Sequence, residues 1–246
     1  MTEIAIAYDV PGLQEALELD ARLGEGPELA KVGLELFTAA GPEVVRALRA
    51  RGRRVFLDLK LHDIPNTVRG AAASAARLGA ELLTVHSMGG RAMVTAAVEG
   101  AASAGHTRVI GVTVLTSLDG YALPPGFATP FHTGFVVAQL THMVDDAGGH
   151  GVVCSAAELL FVRQFVGKEI YAVTPGIRSA GAPAHDQARV ATIGQAVQAG
   201  SSLLVLGRAV TAAPDPAAAL ERARNERDQA ARQLEAPAAQ TSAAQP

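Results

Sequence analysis

Four charged residues of this chain stand in or at the end of apolar runs. Asp9 follows the run Ile4–Tyr8, Lys31 lies inside Leu29–Gly33, and Asp58 and Lys60 fall two residues apart in Arg54–Lys60. Period-two alternation puts Asp58 and Lys60 on one face of a strand and Leu57, Leu59 and Leu61 on the other. A charge buried on such a face needs a partner. One isolated Asp-x-Lys is more often a structural ion pair, but two acids and two lysines at strand ends exceed what one ion pair requires. A second group suits an anion: Thr174-Pro175-Gly176-Ile177-Arg178 and Gly207-Arg208 each end an apolar run. Glycine lets backbone N–H groups approach an oxyanion, and arginine adds a forked cationic contact. Phosphate fits this pairing, the more so because a short helix over Ala209–Ala213 would begin just beyond it.

The elements that must hold these residues are β-rich runs: Ile4–Tyr8, Leu29–Gly33, Arg54–Lys60, Leu82–His86, Arg108–Leu115, Gly151–Ser155, Glu169–Thr174 and Leu203–Gly207. Runs apolar on both faces, separated by stretches too long for hairpins, indicate parallel strands with helical crossovers. Gly41-Pro42-Glu43 opens one helix, whose stripe Val44, Val45, Leu48 ends at Arg51-Gly52; Pro65–Gly79 repeats the pattern. Further helices are expected at 12–22, 90–104, 131–147, 156–166, 187–199 and 216–235. This rhythm predicts an α/β protein, a single-domain (β/α)8 TIM barrel over 1–225, with 226–246 the end of the last helix and a disordered Ala/Gln/Pro-rich tail. A doubly wound sheet would place Gly-x-Gly-x-x-Gly after the first strand, where the chain reads Tyr8-Asp9-Val10-Pro11-Gly12. In a barrel, functional groups gather at the C-terminal ends of the strands, which is where the charges and the Gly-Arg pieces fall. Thr116–Pro130 is expected to be a loop over the mouth.

Composition excludes several function classes. At 49% hydrophobic and 18% charged, the chain can build a substantial core. A net charge of -3, with 4% aromatic residues and no Trp, offers neither field nor stacking surface for nucleic acid. No apolar run approaches the ~20 residues of a membrane helix. A lone cysteine, Cys154, in an apolar strand reads as core, and with no signal-peptide pattern at Met1-Thr2-Glu3-Ile4 the cytoplasm is the expected location.

Asp-Leu-Lys-Leu-His-Asp-Ile-Pro-Asn-Thr at 58–67 closely resembles the signature of the bacterial-type orotidine 5'-monophosphate decarboxylases. Ala7-Tyr8-Asp9, Lys31–Phe37, Val112–Ser117, Thr174–Arg178 and Leu206-Gly207-Arg208 follow in that family's order and spacing, to about residue 213. The resemblance implies conversion of OMP to UMP and CO2 in pyrimidine biosynthesis. It implies Lys60 as the proton donor, with Asp58 and Asp63 compensating its charge. Asp9 would contact the ribose or pyrimidine, Lys31 a ribose hydroxyl and Asp58, and Thr116 the pyrimidine. Gln187 would bridge base and phosphate, and Arg178, Gly207 and Arg208 would grip the phosphate. Asp63 and Thr67 match residues that reach a neighbouring subunit, implying a homodimer with shared active sites. Tyr8, where an aliphatic residue is expected, and the stretch after Glu221 depart from the pattern.

The residue types suit that reaction. Loss of CO2 from C6 leaves an unstabilised carbanion, and a fixed ammonium can both steady the developing charge and donate the proton. The sequence carries no metal-ligand cluster or cofactor motif, so no cofactor is expected. The Gly- and Ala-rich segment Ser179–Asp186 is the expected lid. His86 is read as packing or supporting the site, and His62 as pointing away from Asp63. Two rivals stand beside this reading. A non-catalytic nucleotide-binding barrel is one, although every catalytic residue type is present. The other is a sister enzyme using Mg2+ and a sugar phosphate; its second strand would carry a carboxylate, where this chain carries Lys31.

Overall fold

The computed structural model describes residues 1–118, 132–166, 170–178 and 190–235. Eight parallel strands close into a barrel: β1 (Glu3–Ala7), β2 (Leu29–Gly33), β3 (Val55–Leu61), β4 (Leu82–His86), β5 (Arg108–Val112), β6 (Gly151–Val153), β7 (Tyr171–Thr174) and β8 (Leu203–Leu206). Neighbours follow chain order around the ring, and β8 pairs with β1 to close it, Ala5 opposite Val205. This is the expected TIM barrel.

Alternation along the strands sorts two layers. Ile4, Ile6, Ala30, Val32, Val55, Leu57, Leu83 and Val85 belong to the larger core, packed with helix residues such as Leu19, Val44, Leu48, Val68 and Met93. Residues of opposite parity, Ala5, Leu29, Phe56, Leu82, Ile110, Val173 and Leu203, form a separate buried apolar cluster. Two positions further along three of those strands stand Ala7, Lys31 and Asp58. Lys31 and Asp58 therefore stand next to an apolar plug that fills the barrel beneath them.

The helices are α1 (Leu13–Arg22), α2 (Leu34–Ala40), α3 (Pro42–Ala50), α4 (Pro65–Arg77), α5 (Gly90–Ala102), α6 (Thr133–Asp146), α7 (Ala156–Phe165), α8 (Ile193–Gln198), α9 (Arg208–Thr211) and α10 (Pro216–Glu235). Pro42 and Pro65 start their helices as expected, and Val44, Val45 and Leu48 are buried on α3. Helix α2 goes beyond the sequence reading: Gly41, at φ 61, breaks one helical stretch into two. Helix α10 continues to Glu235, and the expected tail beyond it lies outside the described residues. Cys154 is buried in the core. Among the described residues no helix is long and apolar enough to cross a membrane.

Tyr8, the departure noted above, has a structural reason. Its ring is fully buried, and its hydroxyl donates to Asp20 Oδ1 on α1 at 2.8 Å. The same oxygen accepts from Arg53 Nε at 2.7 Å. Burial, and then the Asp20 charge, push the Tyr8 hydroxyl far up, so it remains a neutral donor. This network ties α1 to the end of β1, immediately before Asp9.

Candidate active site

A cavity of about 900 Å³ opens within the barrel, lined by Asp9, Lys31, Asp58, Lys60, Thr116, Arg178, Gly207 and Arg208 among others. The contiguous strands β3, β2 and β1 bring the acids and lysines, and β7 and β8 bring the two arginines. Lys31 Nζ lies 3.0 Å from Asp9 Oδ1 and 3.7 Å from Asp58 Oδ2. Lys60 Nζ donates to Asp58 Oδ2 at 2.8 Å. Charge thus alternates along the chain Asp9, Lys31, Asp58, Lys60. Gly33 keeps this chain clear, since a Cβ there would stand 3.0 Å from Lys31 Nζ and 3.2 Å from Asp9 Oδ1.

Burial acts to raise the Asp58 carboxyl, but Lys31, Lys60 and the hydrogen bonds from Lys60 and Thr84 outweigh it, holding it below the usual carboxylate range. Asp58 is therefore a carboxylate at neutral pH. His86 stacks on His62 with ring centroids 5.3 Å apart. Burial, and then the neighbouring His62 and Lys60, hold the His86 imidazole below its ordinary range, favouring the neutral ring.

Lys60 is not in regular strand conformation. Its φ is 50°, the one non-glycine positive φ among the described residues. Such a conformation costs roughly 1–2 kcal/mol for an L-residue. The β3–β4 register slips at the same place: Leu57 pairs with Leu83 and Leu61 with Val85, a step of four residues against two. Asp58 and Lys60 nevertheless line one cavity, as alternation predicts. The bulge itself, and Thr84 opposite it, were missed because a β-branched residue in a strand gives no signal of a second role.

At the other side, the two-residue strands Ile177–Arg178 and Ala191–Thr192 pair in parallel, an element beyond the sequence reading. They set Arg178 at the cavity and bring the flanks of the intervening segment side by side. Gln187 and the expected lid Ser179–Asp186 lie outside the described residues, as does most of the expected loop Thr116–Pro130. The short helix after β8 begins at Gly207-Arg208, one residue earlier than expected, with the N–H groups of Val210 and Thr211 bonded back to Gly207. This turn places Gly207 and Arg208 at the cavity.

Asp63 and Thr67 are apart from this group. Both are exposed and neither lines the cavity; the Asp63 carboxylate accepts from the Ile64 N–H at 2.6 Å.

Comparison with known proteins decides the family. The model of the Orotidine 5'-phosphate decarboxylase / HUMPS family matches residues 2–223. The chain belongs to this family. It is 52% identical over 217 residues to an orotidine 5'-phosphate decarboxylase of Anaeromyxobacter sp. (strain K), covering 88% of this chain and 94% of that relative. It is 47% identical over 227 residues to the one from Cutibacterium acnes, covering 92% and 96% respectively. The crystal structure of the orotidine 5'-phosphate decarboxylase from Lactobacillus acidophilus superposes with a TM-score of 0.81 at 34% identity, over 93% of this chain and all of that one. The residues lining the cavity fall in the pieces that carried the resemblance: Asp58 and Lys60 in 58–67, Asp9 in Ala7-Tyr8-Asp9, Lys31 in Lys31–Phe37, Arg178 in Thr174–Arg178 and Arg208 in Leu206-Gly207-Arg208.

Proposed function

We propose that the alternating chain Asp9, Lys31, Asp58, Lys60 carries out the family's decarboxylation in this protein, with Lys60 as proton donor. The activity is that of a carboxy-lyase, converting OMP to UMP and CO2 in pyrimidine biosynthesis. One observation carries the assignment of roles: the Lys60 ammonium is held against the Asp58 carboxylate in the cavity that also contains Arg178 and Arg208.

The chemistry follows from those groups. The bond from C6 to the carboxylate breaks with its electron pair left on C6, and CO2 departs. The Lys60 ammonium steadies that pair and then passes its proton to C6, giving UMP; Lys60 regains a proton from solvent. The electrostatics are already in place before substrate arrives, because Asp58 holds Lys60 and Lys31 holds Asp58. Lys31 and Asp9 supply a donor and an acceptor for ribose hydroxyls, and Thr116 a contact for the pyrimidine. Arg178, Gly207 and Arg208 hold the phosphate, with Gln187 bridging from it to the base. Binding energy at the phosphate is then available to orient C6 over Lys60 and exclude water. No step needs a cofactor, and an ammonium at position 31 is a poor neighbour for a hard dication.

The site is completed by a second copy of the chain, Asp63 and Thr67 reaching across a two-fold axis toward the partner's Lys60. Exposed apolar side chains support this surface: Ile64 is 67% and Leu34 55% exposed, each just beyond a strand carrying a lysine of the array. Residues 1–225 form the catalytic unit. The single, buried Cys154 suits a reducing compartment, and the cytoplasm is the location we propose.

Replacing Arg208 with alanine tests the phosphate assignment. The variant is expected to lose roughly 10- to 100-fold in kcat/KM for OMP, the range for one lost hydrogen bond to a charged group, and little for unphosphorylated orotidine. Equal losses on both substrates, measured by steady-state kinetics, would place Arg208 elsewhere.

A further inference from the structure

Where β3 bulges between Leu57 and Leu61, the backbone of Lys60 leaves the ladder of β4. Its N–H donates instead to the Thr84 hydroxyl at 2.8 Å, and that hydroxyl donates to Asp58 Oδ1 at 2.9 Å. Thr84 is fully buried, so water does not compete for either bond. From this geometry we infer that Thr84 is a positioning residue for the reaction: its one hydroxyl fixes both the left-handed backbone that aims Lys60 and the carboxylate that holds the Lys60 ammonium.

Two features make this more than a buried hydroxyl finding partners. The donor and acceptor capacities of Thr84 are used on the two residues that form the Lys60–Asp58 contact, 2.8 Å apart. The hydroxyl also stands in for the ladder acceptor that the bulge removes, at the one non-glycine residue with positive φ among those described. Asp58 has two oxygens with different tasks: Oδ2 faces Lys60 and Lys31, and Oδ1 is tied to Thr84. Without that tie the carboxylate can rotate about its terminal bond, and the oxygen facing Lys60 is no longer fixed.

The inference rests on Asp58 and Lys60 carrying the reaction, so the test includes a variant that separates the two. Thr84→Val keeps the shape and removes the hydroxyl; Thr84→Ser keeps the hydroxyl. Thr84→Val is expected to lower kcat by about 10- to 100-fold, with KM for OMP and the Kd of UMP changed less than about threefold. Thr84→Ser is expected to stay within about threefold of wild type in kcat. A Thr84→Val kcat within that same range, or equal losses in Val and Ser, would overturn the role. So would a loss seen only in KM and UMP binding. Should Thr84→Val fail to fold, Thr84→Ala carries the same comparison against Ser, and equal kcat in the two overturns the role. Lys60→Ala measured alongside keeps the failures distinct: activity surviving there overturns the parent assignment, whereas its loss with Thr84→Val intact overturns Thr84 alone.

Discussion

Lys60→Ala is expected to lower kcat by about 10²- to 10⁴-fold, because one substitution removes both the proton donor and the cation nearest the developing charge. The fold is expected to survive. Lys60 sits at the mouth with its side chain 32% exposed, and Asp58 keeps Lys31 and Thr84 as partners. Steady-state kinetics on OMP, with thermal unfolding as the control, make the measurement. Retention of more than roughly a tenth of the wild-type kcat would contradict a donor role worth several kcal/mol.

The second large effect is a recovery. Lys60→Ala and Asp63→Ala proteins are each expected to be inactive, yet mixed dimers are expected to regain activity. In a two-fold dimer with shared sites, one site of the mixed dimer carries both lesions and the other carries neither. Each heterodimer should therefore show up to about half of the wild-type activity by site count. Asp63 motivates the test: it is exposed, bonded to its own Ile64 N–H, and outside the cavity that holds Lys60. No recovery, with subunit exchange demonstrated by mass spectrometry, would mean that Asp63 serves its own chain.

Much of this site was legible before the fold was seen, for a definite reason. Charged residues in apolar strands are costly, so Lys31, Asp58 and Lys60 stand out against their neighbours, and strand order then predicts that they meet. The Gly-Arg pieces after β7 and β8 were legible by position within the barrel. What escaped notice had no unusual residue type to announce it. Helix α2 hid behind Gly41, whose positive φ divides one helical stretch. Thr84 reads as an ordinary strand residue until the β3 bulge makes it a hydrogen-bond hub. Tyr8 was recognised as out of pattern, but its reason, Asp20 buried twelve residues away on α1 with Arg53 beside it, requires three distant segments to be seen together.

The most direct test of the central claim, that this charged array decarboxylates OMP without a cofactor, is to incubate the folded protein with OMP in EDTA. Loss of the orotate absorbance and release of CO2 are followed together. Decarboxylation at Lys60 predicts one UMP and one CO2 for each OMP consumed, at a rate that EDTA does not change. Absence of turnover in folded protein, or turnover that EDTA abolishes and Mg2+ restores, would contradict it.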